Sequence, residues 1–229
     1  MLEIARCFEG VDLVSTWHKK AEPREWDAQI EIMELPYLFR TEPADLPVRE
    51  RYLRLPAITT DEAARSMRSA HLPRVGIVWA GGEWNQARSV PIEKLQPLLE
   101  QPGCEFWNLQ GGTAWPEWYR CSQRSSLQDA PRCRRGILPL AETLAAMDLL
   151  ITVDTLAAHL AGAMGEPAWV MLQHAADWRW MTDRADSPWY PSLRLFRQNQ
   201  QGEWGSVVRD LVIALDKWRR DRSHPVVAA

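Results

Sequence analysis

Asp154, Thr155 and His159 are the residues whose types and spacing most directly suggest chemistry. They stand where a predicted strand ends and a predicted helix begins, so the first backbone N–H groups of the helix and the Thr155 hydroxyl would face one opening, which suits an anion. Asp154 is placed to cap that helix, and His159, one turn later, could hydrogen-bond a phosphate or a sugar hydroxyl. The alternative is that Asp154 is only a cap and His159 is a satisfied, partly buried side chain.

The loop of residues 80–91 supplies a second group of polar residues at the same predicted sheet edge. Its glycines would let the backbone approach a ligand closely, and its arginine could hold a diphosphate with a planar fork of donors. For that arginine the alternative is a solvated surface charge. The pattern is neither GxGxxG nor a Walker A motif, so it does not indicate a dinucleotide or P-loop site. The candidate ligand-binding residues of the loop are Gly81, Gly82, Asn85, Arg88 and Ser89.

Further side chains in the predicted loops could take part in catalysis or binding, although no motif supports them. A carboxylate could act as a general base, but most loop carboxylates are solvated, so no catalytic residue is assigned. Trp178 and Trp180 could stack on a base or a sugar, and a lid or packing role suits them equally. The loop carboxylates are Glu83, Glu117, Asp177 and Asp186.

An alternation of strands and helices must position these residues. Short apolar runs predict strands at residues 74–79, 104–109, 149–153 and 168–172, and an edge strand at residues 193–196. Helices are predicted from Pro91 to the Pro102-Gly103 stop, and at residues 141–147, 155–164 and 207–218. This order is typical of an α/β fold with a doubly wound, Rossmann-like parallel sheet, whose ligand sites lie at the carboxyl ends of the strands.

The first part of the chain is organised differently. Residues 2–8 suggest a helix and residues 11–15 and 28–32 suggest two strands, followed by a Pro-rich, charged linker at residues 41–56. A complete α/β domain usually needs about 100–150 residues, so this portion is expected to be only part of a domain. The unpaired strand edges of such a part would favour association with a second copy of the chain.

Composition and charge exclude several classes of protein. The chain has 229 residues, of which 46% are hydrophobic and 25% charged, as in ordinary globular proteins. Its net charge of −3 provides no basic field for nucleic acid. The 4 cysteines include no CxxC pair, so we expect reduced thiols and no metal site. No apolar run is long enough for a transmembrane segment, and we expect a cytoplasmic protein.

A family resemblance rests on five segments: Val75-Gly-Ile-Val-Trp-Ala-Gly81, Arg88-Ser-Val-Pro91, residues 106–110 followed by glycine, residues 148–167, and residues 177–191. Together they resemble the carboxyl-terminal half of the heptosyltransferase-like glycosyltransferases of family 9, as found in tetratricopeptide-repeat glycosyltransferase proteins. Those enzymes have the two-domain GT-B fold, whose second domain binds the nucleotide-sugar donor. The resemblance implies a partial N-terminal GT-B domain and linker at residues 1–58 and a C-terminal nucleotide-sugar-binding domain at residues 59–229.

The resemblance also implies roles for individual residues. Asp154, Thr155 and His159 would lie at the diphosphate and sugar of the donor, and Arg88 would neutralise the phosphates. The rest of the expected donor-binding set is Gly81, Gly82, Asn85, Ser89 and Gln110. Members of the family also have an acidic catalytic base in the first domain, and this sequence shows no counterpart of it.

Two functions follow as alternatives. The first is transfer of a sugar from a nucleotide-diphosphate sugar to a glycan, lipid-linked or protein acceptor. In that reaction the helix N-terminus and Arg88, with no metal or other cofactor, would stabilise the leaving group. The second is a catalytically incomplete nucleotide-sugar-binding or scaffold module. The missing base favours the second function for the chain as it stands and the first for its ancestry.

Overall fold

A single parallel sheet organises the part of the chain that the computed structural model describes, which is residues 2–16, 27–42, 46, 49–56, 72–122 and 126–223. The strands found there are β1 (Arg74–Val78), β2 (Glu105–Asn108), β3 (Gln128–Asp129), β4 (Leu149–Val153), β5 (Ala168–Leu172) and β6 (Leu193–Arg197). They form one six-stranded sheet in the order β3-β2-β1-β4-β5-β6, and every neighbouring pair is parallel. The predicted doubly wound α/β sheet is confirmed, with β6 at its edge.

The direction of winding changes between β1 and β4. These two strands pair from Val75 with Leu149 to Val78 with Thr152. Strands β4 and β5 are buried at every position, because helices cover both faces of a parallel sheet of this kind. The loops after β1 and β4 therefore leave a crevice between them at the carboxyl edge of the sheet.

Helices cover the two faces of the sheet with separate hydrophobic cores. The helices of the described residues are α1 (Leu2–Ala5), α2 (Leu35–Leu38), α3 (Gln96–Leu99), α4 (Glu117–Ser122), α5 (Ile137–Leu144), α6 (Leu156–Met164) and α7 (Gly205–Ser223). On one face α5 and α6 pack through buried residues such as Leu144 and Ala158. On the other face α3 and α7 do so through residues such as Leu98 and Leu211.

The structure differs from the sequence-based expectation in several elements of this domain. Strand β3 is only two residues long and has no apolar run that could announce it. Helix α4 was not expected, and α5 begins at Ile137, four residues before the predicted start. The prediction placed Pro139 outside the helix, whereas a proline is tolerated in the first turn because the N–H groups there have no intrahelical partner.

Both strands predicted near the amino terminus are wrong. Residues 11–16 and 28–31 have no regular secondary structure, and Ile32–Glu34 forms a 3₁₀ turn that leads into α2. Many of the side chains there lie in solvent, with Val11 46% and Ile32 78% exposed, so no partner strand or core among the described residues holds them extended. Association with a second copy of the chain stays a prediction.

The end of the predicted linker packs on α6. We call residues 2–9 and 51–55 together the N-terminal strap. The backbone N–H groups of Tyr52 and Leu53 both donate to the Ala163 carbonyl near the end of α6, at 2.9 and 3.0 Å. Leu53 is only 1% exposed and forms an antiparallel bridge with Phe8. Parts of the predicted linker, at residues 43–45 and 47–48, lie outside the described residues.

A glycine at the end of α6 makes room for this strap. Gly165 closes the helix with φ of 76°, in the left-handed region that favours glycine. A Cβ atom at this position would lie 2.6 Å from the Glu50 carbonyl oxygen. The sequence Met-Gly that ends α6 thus serves both the helix terminus and the close approach of the strap.

Cys7, Cys104 and Cys133 are free thiols, as predicted. Burial raises the pKa of the Cys133 thiol to about 11 and also raises the pKa of Cys104. These thiols therefore stay protonated and unreactive near neutral pH. The side chain of Cys121 lies outside the described part of the chain. Within the described ranges, no helix is both long enough and apolar enough to cross a membrane.

Candidate functional site

A cavity of about 540 Å³ opens at the carboxyl ends of β1, β2 and β4. Its size lies in the range of small-molecule sites, roughly 300–1,000 Å³. Three loops and the start of α6 form its wall. The residues that were predicted at the site and line it are Gly81, Gly82, Arg88, Gln110, Asp154, Thr155 and His159. The crevice between β1 and β4 thus brings together most of the residues that the sequence singled out.

Asp154 lies between two of the basic side chains of the cavity, Arg88 and His159. One carboxylate oxygen, Oδ1, is 3.7 Å from His159 Nε2, and the other, Oδ2, is 4.0 Å from Arg88 Nη1. The prediction that Asp154 caps α6 is wrong: Thr155 is the N-cap residue, and no side chain caps the helix. The carboxylate faces Arg88 and His159, so the first N–H groups of α6 are left without a side-chain cap.

The pKa of Asp154 lies below the ordinary value for an aspartate. Burial on its own raises the pKa of this carboxyl group, but the neighbouring polar groups of His159 and Trp180, together with the charges of His159 and Arg88, lower it by more. The carboxylate is therefore ionised at neutral pH. An ionised carboxylate repels a phosphate, so it serves to hold Arg88 and His159 in position.

Arg88 is a buried cation with spare hydrogen-bonding capacity. Its side chain is 12% exposed, and its guanidinium stacks over the Trp84 ring at 4.2 Å. The contact with Asp154 is too long for a hydrogen bond, and Arg88 Nε has no hydrogen-bond partner among the described residues. Gly81 makes this placement possible, because a Cβ atom there would lie 2.6 Å from Arg88 Nε.

Three of the predicted residues shape the loops around the cavity. The Ser89 hydroxyl accepts a hydrogen bond from the Gly81 N–H at 3.0 Å. Gln110 Oε1 accepts from the N–H groups of Trp79 and Ala80 at 3.0 and 2.9 Å, while Gln110 Nε2 donates to the carbonyls of Ala80 and Gly111 at 3.1 and 2.8 Å. The Gln110 amide thus joins the loops after β1 and β2.

Asn85 and Thr155 also use their polar groups locally. Asn85 Oδ1 accepts from the Ala87 N–H at 3.2 Å and caps the 3₁₀ turn Gln86–Arg88, which carries Arg88 into the cavity. The Thr155 hydroxyl donates to the Val153 carbonyl at 3.3 Å and lies 3.2 Å from the Thr152 hydroxyl. Direct contact of these residues with a donor stays a prediction.

Two aromatic side chains, Trp180 and Tyr190, contact the His159 ring. The Trp180 ring stacks on the imidazole with the centroids 5.3 Å apart and the planes at 22°. The Tyr190 hydroxyl lies 3.1 Å from His159 Nδ1. Trp180 is fully buried, whereas Trp178 is 67% exposed. Of the two alternatives for these tryptophans, packing therefore describes Trp180.

The loop carboxylates occupy different places. Glu83 lines the cavity and also a second depression of about 760 Å³ that continues beside it and includes Glu117. Glu117 accepts a hydrogen bond from Trp79 Nε1 at 3.0 Å. Asp177 accepts from the Arg179 N–H at 3.1 Å, and the exposed Asp186 pairs with Arg184. Among these, only the Glu83 carboxylate lies on the main cavity.

Arg179 and Tyr190 lie at or beside the cavity, and the sequence did not single them out. Arg179 lines the cavity and pairs with Asp177 at 3.3 Å, while Tyr190 contacts His159. Arg179 and Tyr190 belong to the long loop between β5 and β6, which has no hydrophobic periodicity. The Asp177-Trp-Arg-Trp180 sequence was a usable signal for Arg179. Within the described residues, no three His, Cys, Asp or Glu side chains lie close enough to hold a metal ion.

Comparison with known proteins identifies the fold. The chain superposes on the Escherichia coli ADP-heptose LPS heptosyltransferase II with a TM-score of 0.57 and 12% identity, over 79% of this chain and 57% of that one. The chain has a heptosyltransferase-like fold. The heptosyltransferase WaaC of E. coli, in its structure with ADP-2-deoxy-2-fluoro heptose, gives a TM-score of 0.50 and 15% identity over 69% of this chain and 47% of that one. The GT-B-like fold class predicted from the sequence is thereby confirmed.

The match to this chain covers about half the length of each of these two enzymes. Among curated proteins, FlbA of Caulobacter vibrioides is 30% identical over 150 residues, which is 62% of this chain and 25% of FlbA. The chain therefore spans about a quarter of that relative. No family model matches the chain.

Proposed function

We propose that the cavity binds the diphosphate of a nucleotide sugar and that the chain is the donor-binding half of a glycosyltransferase. The observation that supports this most is Arg88, whose side chain is 12% exposed and lines a cavity at the N-terminus of α6, and whose buried Nε has no hydrogen-bond partner among the described residues. A buried polar group without a partner calls for a ligand that supplies one. An anion with several acceptor oxygens does so.

The electrostatics of the cavity favour a diphosphate over a neutral ligand. Arg88 and Arg179 line it, and Leu156 and Ala157 at the first turn of α6 line it beside them. The first N–H groups of a helix carry partial positive charge and point toward an anion placed at its end. In a transfer reaction the same groups would stabilise the leaving diphosphate without a metal or another cofactor.

The likeness to structures of known enzymes suggests which donor to test first. The WaaC structure contains ADP-2-deoxy-2-fluoro heptose, so an ADP-sugar is the first choice and a UDP-sugar the comparison. The acceptor class stays open between a glycan, a lipid-linked saccharide and a protein. The free thiols Cys7, Cys104 and Cys133 suit a reducing compartment such as the cytoplasm.

A nucleotide-sugar-binding module without transferase activity is the second candidate. It is supported by the small number of candidates for a general base on the main cavity. Among the described residues the carboxylates there are Glu83 and Asp154, and Asp154 already pairs with Arg88 and His159. A general base must lie within hydrogen-bonding reach of the acceptor hydroxyl, and only Glu83 of these two is available for that role.

Calorimetry followed by a hydrolysis assay separates these functions. The chain is titrated with ADP, UDP and an ADP-sugar, and then assayed for hydrolysis of the donor. Binding with hydrolysis that Glu83→Gln abolishes supports the transferase. Binding without hydrolysis supports the binding module, and the absence of binding for all three ligands contradicts both.

A further inference from the structure

A line of polar side chains leads from the loop between β5 and β6 to the cavity. It runs from Tyr190 through His159 to Asp154. We propose that Tyr190 is a positioning residue that fixes the His159 imidazole as the Nε2–H tautomer, with this N–H turned toward Asp154, and that the strap supports Tyr190 through the turn of α6 on which both pack. The tautomer itself does not depend on a ligand, whereas its effect on ligand binding rests on the proposed function.

The position of the imidazole proton follows from the groups that the two ring nitrogens face. An ionised Asp154 carboxylate can only accept, so the nitrogen that faces it, Nε2 at 3.7 Å, carries the proton. In a neutral imidazole the other nitrogen, Nδ1, is then an acceptor. The Tyr190 hydroxyl, 3.1 Å from Nδ1, must therefore donate to it.

Tyr190 is suited to donate. Burial raises the pKa of its phenol, and the interaction with Tyr52 raises it further, so the hydroxyl keeps its proton. The Tyr190 hydroxyl can thus donate to Nδ1 while the Nε2–H group is directed toward the ionised carboxylate.

The fold holds the Tyr190 ring firmly enough for this role. Gly162 of α6 lies against it, and a Cβ atom at that position would be 2.3 Å from Tyr190 Cγ. The Ser187 hydroxyl accepts from the Tyr190 N–H at 3.3 Å. Trp180 covers one face of the imidazole, so His159 is fixed by stacking and by a hydrogen bond at Nδ1.

The strap reaches Tyr190 from outside the cavity. Its backbone is anchored on the Ala163 carbonyl through the N–H groups of Tyr52 and Leu53. Ala163 and Gly162 are adjacent on α6, so the anchor of the strap and the seat of the Tyr190 ring share one turn of helix. The strap and the loop after β5 therefore meet at the residue that orients His159.

The test is the tautomer of His159, read from the imidazole ¹⁵N resonances of the full chain without ligand. The pH is set about two units above the ordinary histidine pKa of about 6.5, so that neutral rings dominate. We expect the Nε2–H form in the wild type. Tyr190→Phe removes only the hydroxyl and is expected to give a mixture of the two tautomers, while the exposed Tyr37→Phe leaves the wild-type pattern.

Two results would overturn the proposal. One is a wild-type protein in which His159 carries its proton on Nδ1, a result that requires no variant to fold. The other is a folded Tyr190→Phe protein whose His159 tautomer is unchanged.

A second measurement separates this proposal from the proposed function. In ADP titrations, Tyr190→Phe is expected to weaken binding about threefold to tenfold, the usual effect of one lost hydrogen bond. If the wild type does not bind ADP but shows the predicted tautomer, the proposed function fails for this nucleotide and the positioning role stands. If ADP binds and the tautomer differs from the prediction, the positioning role fails alone.

Discussion

Arg88 is held in place before any ligand arrives. Trp84 stacks on its guanidinium at 4.2 Å, Asp154 lies 4.0 Å from its Nη1, and Gly81 leaves space beside its Nε. A side chain fixed in this way loses little conformational freedom when it binds an anion. Trp84, Asp154 and Gly81 would thus affect ligand binding mainly by holding Arg88 in position.

Gly81→Ala tests this placement. A Cβ atom at Gly81 would lie 2.6 Å from Arg88 Nε, whereas one at Gly82 would have Trp84 as its nearest neighbour at an ordinary 3.5 Å. We expect Gly81→Ala to weaken ADP binding clearly more than the matched Gly82→Ala, because only the first displaces the guanidinium. Calorimetry on both folded variants measures the difference, and equal effects would count against the placement of Arg88.

Asp154 predicts a pH dependence of stability. Its pKa is lower in the folded chain than the ordinary value of about 3.9 expected on unfolding. The resulting stabilisation is present above that ordinary value and is lost as the pH falls through the folded-state pKa. Asp154→Asn should therefore reduce the free energy of unfolding more at pH 7 than at about pH 3, as measured with urea. A reduction that is the same at both pH values would contradict the assignment.

The packing of the strap on α6 is the feature of the fold that the sequence did not predict. Leu53 is 1% exposed, while Ile32 in the preceding 3₁₀ turn is 78% exposed. Leu53→Ala should lower the free energy of unfolding by about 2–4 kcal/mol, and the control Ile32→Ala by less than about 0.5 kcal/mol. Urea unfolding compares the two, and a small effect of Leu53→Ala would show that the strap does not belong to the folded core.

The elements that could be predicted are those with a strong apolar pattern. Strands β1, β4 and β5 are buried on both faces, so their continuous apolar runs identify them. The segments at residues 11–15 and 28–32 have a similar local apolar pattern, but they are not strands, and the described part of the chain gives them no partner strand. Strand pairing is a tertiary property, which a short apolar run does not determine.

The same limit applies to the candidate site. Arg88 and His159 could be predicted because each belongs to a loop or helix that follows a recognisable strand. Arg179 reaches the cavity, and Tyr190 reaches His159, through the long loop between β5 and β6. The path of this loop depends on packing, such as that of Tyr190 against Gly162. Asp154 lines the cavity, as expected from its position after β4. It does not cap α6, because the nearby basic groups of Arg88 and His159 attract the carboxylate.

At the scale of the whole molecule, the strand order explains where the site lies. The cavity sits at the carboxyl edge of the sheet, where the winding changes direction between β1 and β4. The likeness to the two heptosyltransferases covers about half of each enzyme. Under the proposed function the matched half contains the donor site, so binding of a nucleotide is the first property to test.

The most direct test of this account is the affinity of the wild type and Arg88→Ala for ADP and for adenosine, measured by calorimetry. Hydrogen bonds to a charged group contribute about 1.5–3 kcal/mol, so we expect Arg88→Ala to weaken ADP binding roughly 10- to 150-fold and to leave adenosine binding unchanged. Arg184→Ala, which removes an arginine from an ion pair with the exposed Asp186, should behave like the wild type. Equal ADP affinity in the wild type and Arg88→Ala, or no ADP binding by the wild type, would contradict the diphosphate site.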